Sequence, residues 1–196
     1  MEGWITKNQT VQAIKTRDGE MEGDEFVLCG GTWSQDLVRS LRIRIPMQAG
    51  KGYALTLPNP IEMPSVCSVF SESRIAVTPI GTSVRFGGTT QIDALNQTMD
   101  PRRIEEIIAT ITQTMPRFKA QHFEGIQPWV GLSPISPDGL PYIGRTAAFS
   151  NLLIATGHAN LGMSLGPITG DLIGRMVFSQ PIPYRMERLS PDRYAR

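Results

Sequence analysis

Four glycines recur at every fourth residue in a segment whose apolar periodicity predicts a helix over about residues 164–178. They are Gly162, Gly166, Gly170 and Gly174. This spacing places them on one helix face, and each interior glycine costs roughly 1 kcal/mol relative to alanine. We therefore expect a very close neighbour along that face. The opposite, apolar stripe is predicted to contact the core, and it contains Leu165, Ile168, Leu172 and Met176.

The glycine spacing has alternative explanations. It also occurs in transmembrane helix dimers, but this segment is too short and carries Asp171 and Arg175. Close packing on a sheet needs no ligand and remains open. A functional interpretation rests on residues 156–162, which join a predicted strand to the helix N-terminus. Free backbone N–H groups and the helix dipole stabilise negative charge at such a position.

The first part of the chain predicts a strand-turn-strand unit followed by a short helix. Residues 11–14 and 25–29 indicate two strands of a hairpin around a turn at Gly19, with the second strand fully buried. Ser34 is expected to cap a helix that ends at Leu41.

Short β-like runs then predict an antiparallel sheet, at residues 53–57, 66–70, 74–80 and 83–89. Asp100 is a predicted helix cap, because a proline and an amphipathic stripe follow it. Further strands are predicted at residues 129–132 and 151–156, and residues 181–196 are predicted to form a loosely held tail.

Composition narrows the function classes. The 196 residues are 40% hydrophobic and carry 19 basic against 18 acidic side chains, so nucleic acid is not an expected partner. Two scattered cysteines argue against a disulfide framework, and the two histidines, His122 and His158, belong to no metal-ligand cluster. We expect a cytoplasmic protein that binds small molecules or proteins, with peripheral contact to the inner membrane left open.

Four motifs occur in a fixed order. CGGTWS stands at residues 29–34, GKGY at 50–53, WVGLSPISPDGLPYIG at 129–144, and LIATGH at 153–158 followed by LGM at 161–163 and PITG at 167–170. Together they resemble the C-terminal half of the FAD-dependent D-amino-acid oxidase/dehydrogenase superfamily. The similarity is greatest to the D-amino-acid dehydrogenases, and the glycine and sarcosine oxidases are also similar. It covers about residues 5–178.

The resemblance implies an α+β fold in two parts. An antiparallel substrate-domain sheet with a crossing helix is expected over residues 46–141. Residual strands and the C-terminal helix of an FAD-binding domain are expected over residues 1–45 and 142–180. The resemblance also implies oxidation of a C–N bond in D-amino acids or related amino or imino acids, by hydride transfer to the flavin.

The resemblance assigns cofactor-binding roles to residues of the first and last motifs. These are Gly30, Gly31, Trp33, Gly157, His158, Asn160, Leu161, Gly162 and Met163. His158 is equally compatible with a general base and with a structural hydrogen-bonding group. No residue is assigned as a catalytic base, because the substrate amine is already neutral in the implied chemistry.

The substrate side departs from the family pattern. Ser133 stands where the signature has an arginine that binds the substrate carboxylate. Arg85 or Arg74 is a candidate substitute, although a lone strand arginine is more often a solvated charge. Tyr53 is a further candidate, although a strand tyrosine is more often packed in the core. The sequence therefore leaves amino-acid binding in doubt.

The dinucleotide fingerprint G-x-G-x-x-G does not occur in these 196 residues. We therefore expect a partial enzyme that works with a separate, or a truncated-away, FAD-binding half. The alternative is a non-catalytic remnant or interaction module. In either case the face left uncovered is expected to be apolar and to favour a homo-oligomer.

Overall fold

The computed structural model describes residues 1–93 and 95–195 and divides the chain into two units. The first contains residues 1–49 and 133–196, and the second contains residues 50–132. These boundaries differ from the predicted ones at 45/46 and 141/142. The second difference arises because the backbone at Ile135 forms a bridge with His158, which ties residues after 132 to the first unit.

The first unit begins with a three-stranded antiparallel sheet in the order β1-β2-β3. The strands are β1 (Gly3–Lys7), β2 (Thr10–Thr16) and β3 (Gly19–Glu22). The predicted hairpin between residues 11–14 and 25–29 is therefore wrong. The turn at Gly19 connects β2 to the exposed strand β3, and residues 26–28 pair elsewhere.

A second sheet of the first unit has the order β10-β11-β4. Its strands are β4 (Phe26–Leu28), β10 (Tyr142–Arg145) and β11 (Leu152–Thr156). The central strand β11 is parallel to β4 and antiparallel to β10. Its apolar residues from Leu152 to Ile154 are fully buried, as expected for a strand covered on both faces. Helix α3 (Gly162–Val177) packs here, with Leu172 and Ile173 against Leu153.

The predicted helix after Ser34 is shorter than expected. It consists of α1 (Ser34–Leu37) and a 3₁₀ turn (Arg39–Leu41), and Arg42 ends it in the left-handed conformation at φ 59°. The Ser34 side chain does not cap α1, because its hydroxyl donates to Oγ1 of Thr156 at 3.4 Å.

The second unit is built on a five-stranded sheet in the order β6-β7-β8-β5-β9. The strands are β5 (Gln48–Pro58), β6 (Ser68–Phe70), β7 (Ile75–Ile80), β8 (Ser83–Asp93) and β9 (Trp129–Ile135). Helix α2 (Pro101–Thr114) packs on it through Ile107 and Ile111. The carboxylate of Asp100 accepts from the N–H of Arg102 at 3.1 Å, which confirms the predicted cap.

Residues after Gln180 do not form a loosely held tail. Pro191 is buried, and Arg193 forms a bidentate ion pair with Asp138 at 2.9 and 3.0 Å. The charges that suggested a solvated segment are instead used in tertiary contacts, which a composition argument does not reveal. In the described part of the chain, no helix has the length and apolar character needed to cross a membrane.

Candidate functional site

Two glycine-containing turns lie side by side at the carboxyl ends of the parallel strands β4 and β11. Residues 29–31 follow β4, and Gly157 follows β11. Oγ1 of Thr156, the last residue of β11, donates to the carbonyl oxygen of Gly31 at 3.1 Å and joins the two turns. The crevice outside the carboxyl ends of strands is where open α/β sheets bind ligands. The two turns therefore define the candidate site.

The glycines of these turns have local structural reasons. Gly31 and Gly157 have φ of +56° and +80°, a region that favours glycine. A Cβ on Gly157 would also lie 3.1 Å from Cδ2 of Tyr142, and one on Gly30 would lie 2.9 Å from Cδ1 of Leu37. Their role at a cofactor remains a prediction, because conformation and packing already require glycine.

The start of α3 faces the same end of the sheet. A 3₁₀ turn (Ala159–Leu161) leads directly into Gly162, and no side chain among the described residues caps the helix. The first turn carries no acidic residue, and Pro167 cannot donate to the carbonyl of Met163. The helix thus begins with uncapped backbone N–H groups and an uncompensated positive dipole end, which favours a negative charge.

His158 joins the lead-in turn to the body of α3. Its Nε2 lies 2.9 Å from Oγ1 of the buried Thr169, and burial lowers the pKa of His158. This hydrogen bond supports the structural interpretation of the histidine. The sequence argument missed Thr169 as the partner of His158. A polar residue between Leu165 and Leu172, on the stripe predicted to be buried, is the signal that could have indicated it.

Ser133 lies beside the predicted cofactor segment. Its hydroxyl donates to Oδ1 of Asn160 at 3.2 Å, so the structure brings these two predicted residues together. A serine hydroxyl bonded to a neighbouring amide offers no positive charge for a carboxylate. Ser133 therefore supplies no cationic group at this position, and its substrate role stays a prediction.

Apolar side chains around the site are exposed. The exposed fractions are 50% for Trp33, 57% for Leu161 and 94% for Met163. The buried Oγ1 of Thr32, in the same turn as Trp33, has no hydrogen-bond partner among the residues that the structure describes. Exposed apolar groups, an unsatisfied hydroxyl and a helix N-terminus without a side-chain cap are suited to a ring that is apolar on its faces and polar at its edge.

The glycine face of α3 is open. Over the described residues, a Cβ built on Gly166, Gly170 or Gly174 meets no atom within 4 Å. The very close neighbour expected along this face is absent from the described chain. The buried stripe also differs from the predicted one, because Ile168 is 38% exposed and Thr169 faces the core instead.

Tyr53 and Arg85 belong to the second unit and lie on opposite faces of its sheet. Tyr53 is buried in the core with Phe86, and its hydroxyl lies 3.3 Å from Oε1 of Gln91. Arg85 is exposed, and its Nε donates to Oγ1 of Thr56 at 3.1 Å. The structure does not bring these two side chains together, so a shared carboxylate site is not formed by them. Their substrate roles stay predictions.

Comparison with known proteins identifies the family. The profile of the FAD dependent oxidoreductases, DAO, matches residues 2–176. The chain belongs to the DAO family. The D-amino acid dehydrogenase of Vibrio atlanticus is 30% identical over 190 residues, which cover 96% of this chain and 45% of that protein. The D-amino acid dehydrogenase of Bradyrhizobium diazoefficiens is 31% identical over 193 residues, covering 97% of this chain and 45% of that protein.

Solved structures share the fold of this DAO-family chain. Glycine oxidase from Geobacillus kaustophilus superposes with a TM-score of 0.85 at 19% identity, covering 97% of this chain and 51% of that chain. Iminodiacetate oxidase from a Chelativorans species gives 0.83 at 21% identity, covering 96% and 52%. The predicted α+β class is confirmed. The chain spans about half the length of the curated relatives it matches.

FAD is the cofactor of the DAO family, as the resemblance implied. The residues of the first unit fit a flavin, because the joined turns, the unsatisfied Thr32 hydroxyl and the uncapped α3 N-terminus lie at one sheet edge. Thr156, which joins the turns, was missed by the sequence argument. A polar residue ending a fully buried strand is the signal that indicates it.

Proposed function

We propose that this chain forms the flavin-ring and substrate half of an FAD-dependent oxidoreductase. The reaction is oxidation of the C–N bond of D-amino acids or related amino or imino acids. The observation that carries the proposal is the convergence of two glycine turns and an uncapped helix N-terminus at one sheet edge, in a DAO-family chain. The names of its relatives, D-amino acid dehydrogenases at 30% and 31% identity, support the substrate class.

In this proposal each segment of the site has a separate task. The flavin supplies a hydride acceptor when bound. The uncapped N–H groups at the start of α3 stabilise the negative charge that develops on reduction. The turn at residues 30–33 contributes backbone and the Trp33 ring. His158, held by Thr169, fixes the lead-in turn and is not required as a base, because the substrate amine is neutral.

The candidates for substrate contacts are Tyr53, Arg85 and Ser133. Arg85 is the one that carries a positive charge, which suits a carboxylate. The neutral Ser133 favours substrates whose carboxylate is bound elsewhere, and it supports the alternative that the chain keeps the fold without autonomous redox activity.

The open glycine face of α3 supports a partner. We propose that a separate FAD-binding half covers this face, since glycines at 166 and 170 permit a close backbone approach that nothing in the described chain uses. Strand β4 lies at the edge of its sheet and its Val27 is 42% exposed, which suits a further strand. Homo-oligomer formation through the same face is the competing assembly, and peripheral membrane contact stays a prediction.

Titration of the purified chain with FAD tests the proposal, with visible absorbance read after removal of excess cofactor. A retained flavin band that is bleached by a D-amino acid without oxygen supports the catalytic function. A retained band that no amino or imino acid bleaches supports the non-catalytic alternative. Absence of a band, with and without a chain that carries the dinucleotide fingerprint, contradicts the proposal.

A charge at the start of α3 provides a matched variant. Met163→Glu places a carboxylate in the first helical turn, where it stabilises the helix by about 0.3–1 kcal/mol. The same charge opposes the negative charge that the flavin ring gains on reduction, so the variant should bind reduced flavin about tenfold more weakly relative to oxidised FAD, while the melting temperature is unchanged or higher. Met21→Glu, on the exposed strand β3, is the control and should change neither quantity. An equal ratio of reduced to oxidised flavin affinity in both variants would remove the α3 N-terminus from the proposed site.

A further inference from the structure

Arg193 uses every N–H group of its guanidinium. Nε and one Nη donate to the two carboxylate oxygens of Asp138 at 2.9 and 3.0 Å. The remaining N–H groups donate to the carbonyl oxygens of Leu140 at 2.7 Å, Pro141 at 3.2 Å and Ser190 at 3.2 Å. Arg193 holds the pKa of Asp138 far below its usual range. Such a saturated, bidentate contact fixes the turn geometrically as well as electrostatically.

The neighbours of Arg193 hold the other parts of β10. We call residues 190–194 the C-terminal clamp. Within it, Asp192 accepts from Oγ1 of Thr146 at 3.1 Å and from the N–H of Ala147 at 2.7 Å. Pro191 lies over the middle of the strand, with its Cδ 3.3 Å from the position of a Cβ on Gly144. The clamp therefore contacts the residues that precede β10, the middle of the strand and the residues that follow it.

Tyr142 connects the clamp to the candidate site. The guanidinium carbon of Arg193 lies 3.8 Å from the centroid of the Tyr142 ring. This ring is fully buried, and its hydroxyl donates to the carbonyl oxygen of Pro46 at 2.8 Å. Its Cδ2 edge lies against Gly157, where a Cβ would be 3.1 Å away. A contiguous chain of contacts thus runs from Arg193 through Tyr142 to the turn before α3.

We propose that Arg193 is a positioning residue for the cofactor segment, and that it acts through Tyr142 on the Gly157 turn. Gly157 has a φ of +80°. The buried ring of Tyr142 lies beside this residue and restrains its conformation. Arg193 contacts the face of the same ring and fixes it there. The importance of the segment for FAD rests on the proposed function, whereas the mechanical connection between Arg193 and Gly157 does not.

Two arginine variants separate this role from ordinary stabilisation. Arg193→Lys keeps the positive charge but loses the planar fork and the stacking of the guanidinium on the tyrosine ring. Arg145→Lys is the matched control, because Arg145 forms a similar bidentate pair with Glu25 at 2.8 and 2.9 Å from the other end of β10. Its guanidinium also donates to backbone carbonyls, of Ser150 and Met176. Among the residues that the structure describes, Arg193 stacks on the Tyr142 ring and Arg145 makes no such ring contact.

The first readout is amide hydrogen exchange in the full chain without FAD. In Arg193→Lys, exchange over residues 156–162 should accelerate about tenfold, while residues 75–88 of the second unit stay unchanged. In Arg145→Lys, residues 156–162 should keep the wild-type rate. Equal acceleration in both variants, or none in Arg193→Lys, would overturn the inference. This arm does not depend on whether the chain binds a flavin.

The second readout is FAD affinity and the position of the flavin absorbance band. Arg193→Lys should weaken binding about tenfold and shift the band, whereas Arg145→Lys should do neither. If wild-type chain binds no FAD while exchange behaves as expected, the proposed function fails and the positioning role stands. If Arg193→Lys does not fold, Asp138→Asn removes the ion pair but leaves Arg193 its carbonyl contacts. Exchange at residues 156–162 should then rise by a smaller factor, and an unchanged rate contradicts the inference.

Discussion

Helices α2 and α3 differ in how far their caps and packing contacts are supplied by the described chain. Asp100 caps α2, Pro101 begins it, and Ile107 and Ile111 are buried beneath it. Gly88 on β8 permits the closest contact, because a Cβ there would lie 2.4 Å from Cδ1 of Ile107. In the described chain α3 has no side-chain cap, contains a proline, and carries three glycines whose Cβ positions meet nothing within 4 Å.

The comparison indicates where the determinants of each helix lie. The cap and the buried isoleucines of α2 have their partners within the second unit, so these parts of its sequence are explained by its own fold. The glycines of α3 cost roughly 1 kcal/mol each relative to alanine and gain no contact in the described chain. This face is therefore available to a partner, which is the physical basis for proposing an FAD-binding half.

Truncation of an isoleucine on each helix should give the largest contrast. Ile107→Ala is expected to lower the free energy of unfolding by about 2–5 kcal/mol, because Ile107 is buried against Gly88 and would leave a cavity. Ile168→Ala, on the exposed part of α3, should cost less than about 1 kcal/mol in the isolated chain. Urea denaturation of both variants measures the difference. Similar losses would show that α3 is as completely packed as α2.

A glycine-to-alanine change in α3 and an alanine-to-glycine change in α2 should alter the free energy of unfolding by smaller amounts and in opposite directions. Gly170→Ala should stabilise the isolated chain by up to about 1 kcal/mol, since its added Cβ meets open space. Ala109→Gly, on the exposed side of α2, should destabilise it by about the same amount. Thermal unfolding measures both. Destabilisation by Gly170→Ala would mean that the glycine face is occupied in solution, for instance by a second copy of the chain. The molecular mass of the purified chain in solution would reveal such a dimer.

Local signals predicted α2 well and α3 only in part. The cap, the proline and the isoleucine period of α2 are all within one segment, so the sequence determines them. For α3 the helix was predicted, but the buried face is shifted from Ile168 to Thr169. The shift depends on how β10 and β11 meet the helix, and no periodicity of α3 contains that information.

Pairings over long separations were not predictable. The parallel pair β4 and β11 joins residues more than a hundred positions apart, and the expected hairpin to residues 25–29 was wrong for that reason. The ion pair of Arg193 with Asp138 also joins residues far apart in sequence, 55 positions, so the segment after 180 was expected to be loose. At the site, motif resemblance identified the two glycine turns, whereas Thr156 and Thr169, which hold them, required the structure.

The smallest expected effect concerns the histidine that leads into α3. Burial lowers the pKa of His158 below 6.5, its ordinary value, so as pH falls the unfolded chain takes up this proton before the folded chain does. The contribution of the neutral His158 to the free energy of unfolding is therefore fully present above pH 6.5 and is lost as pH falls through the folded-state pKa. His158→Gln can keep a hydrogen bond to Thr169 but cannot titrate, so its melting temperature should fall less than that of the wild type between about pH 7.5 and 5.5. Parallel profiles for the two chains would show that His158 is solvated like an exposed residue, and α3 would then lack a firm connection to β11 at the turn that the proposed flavin site requires.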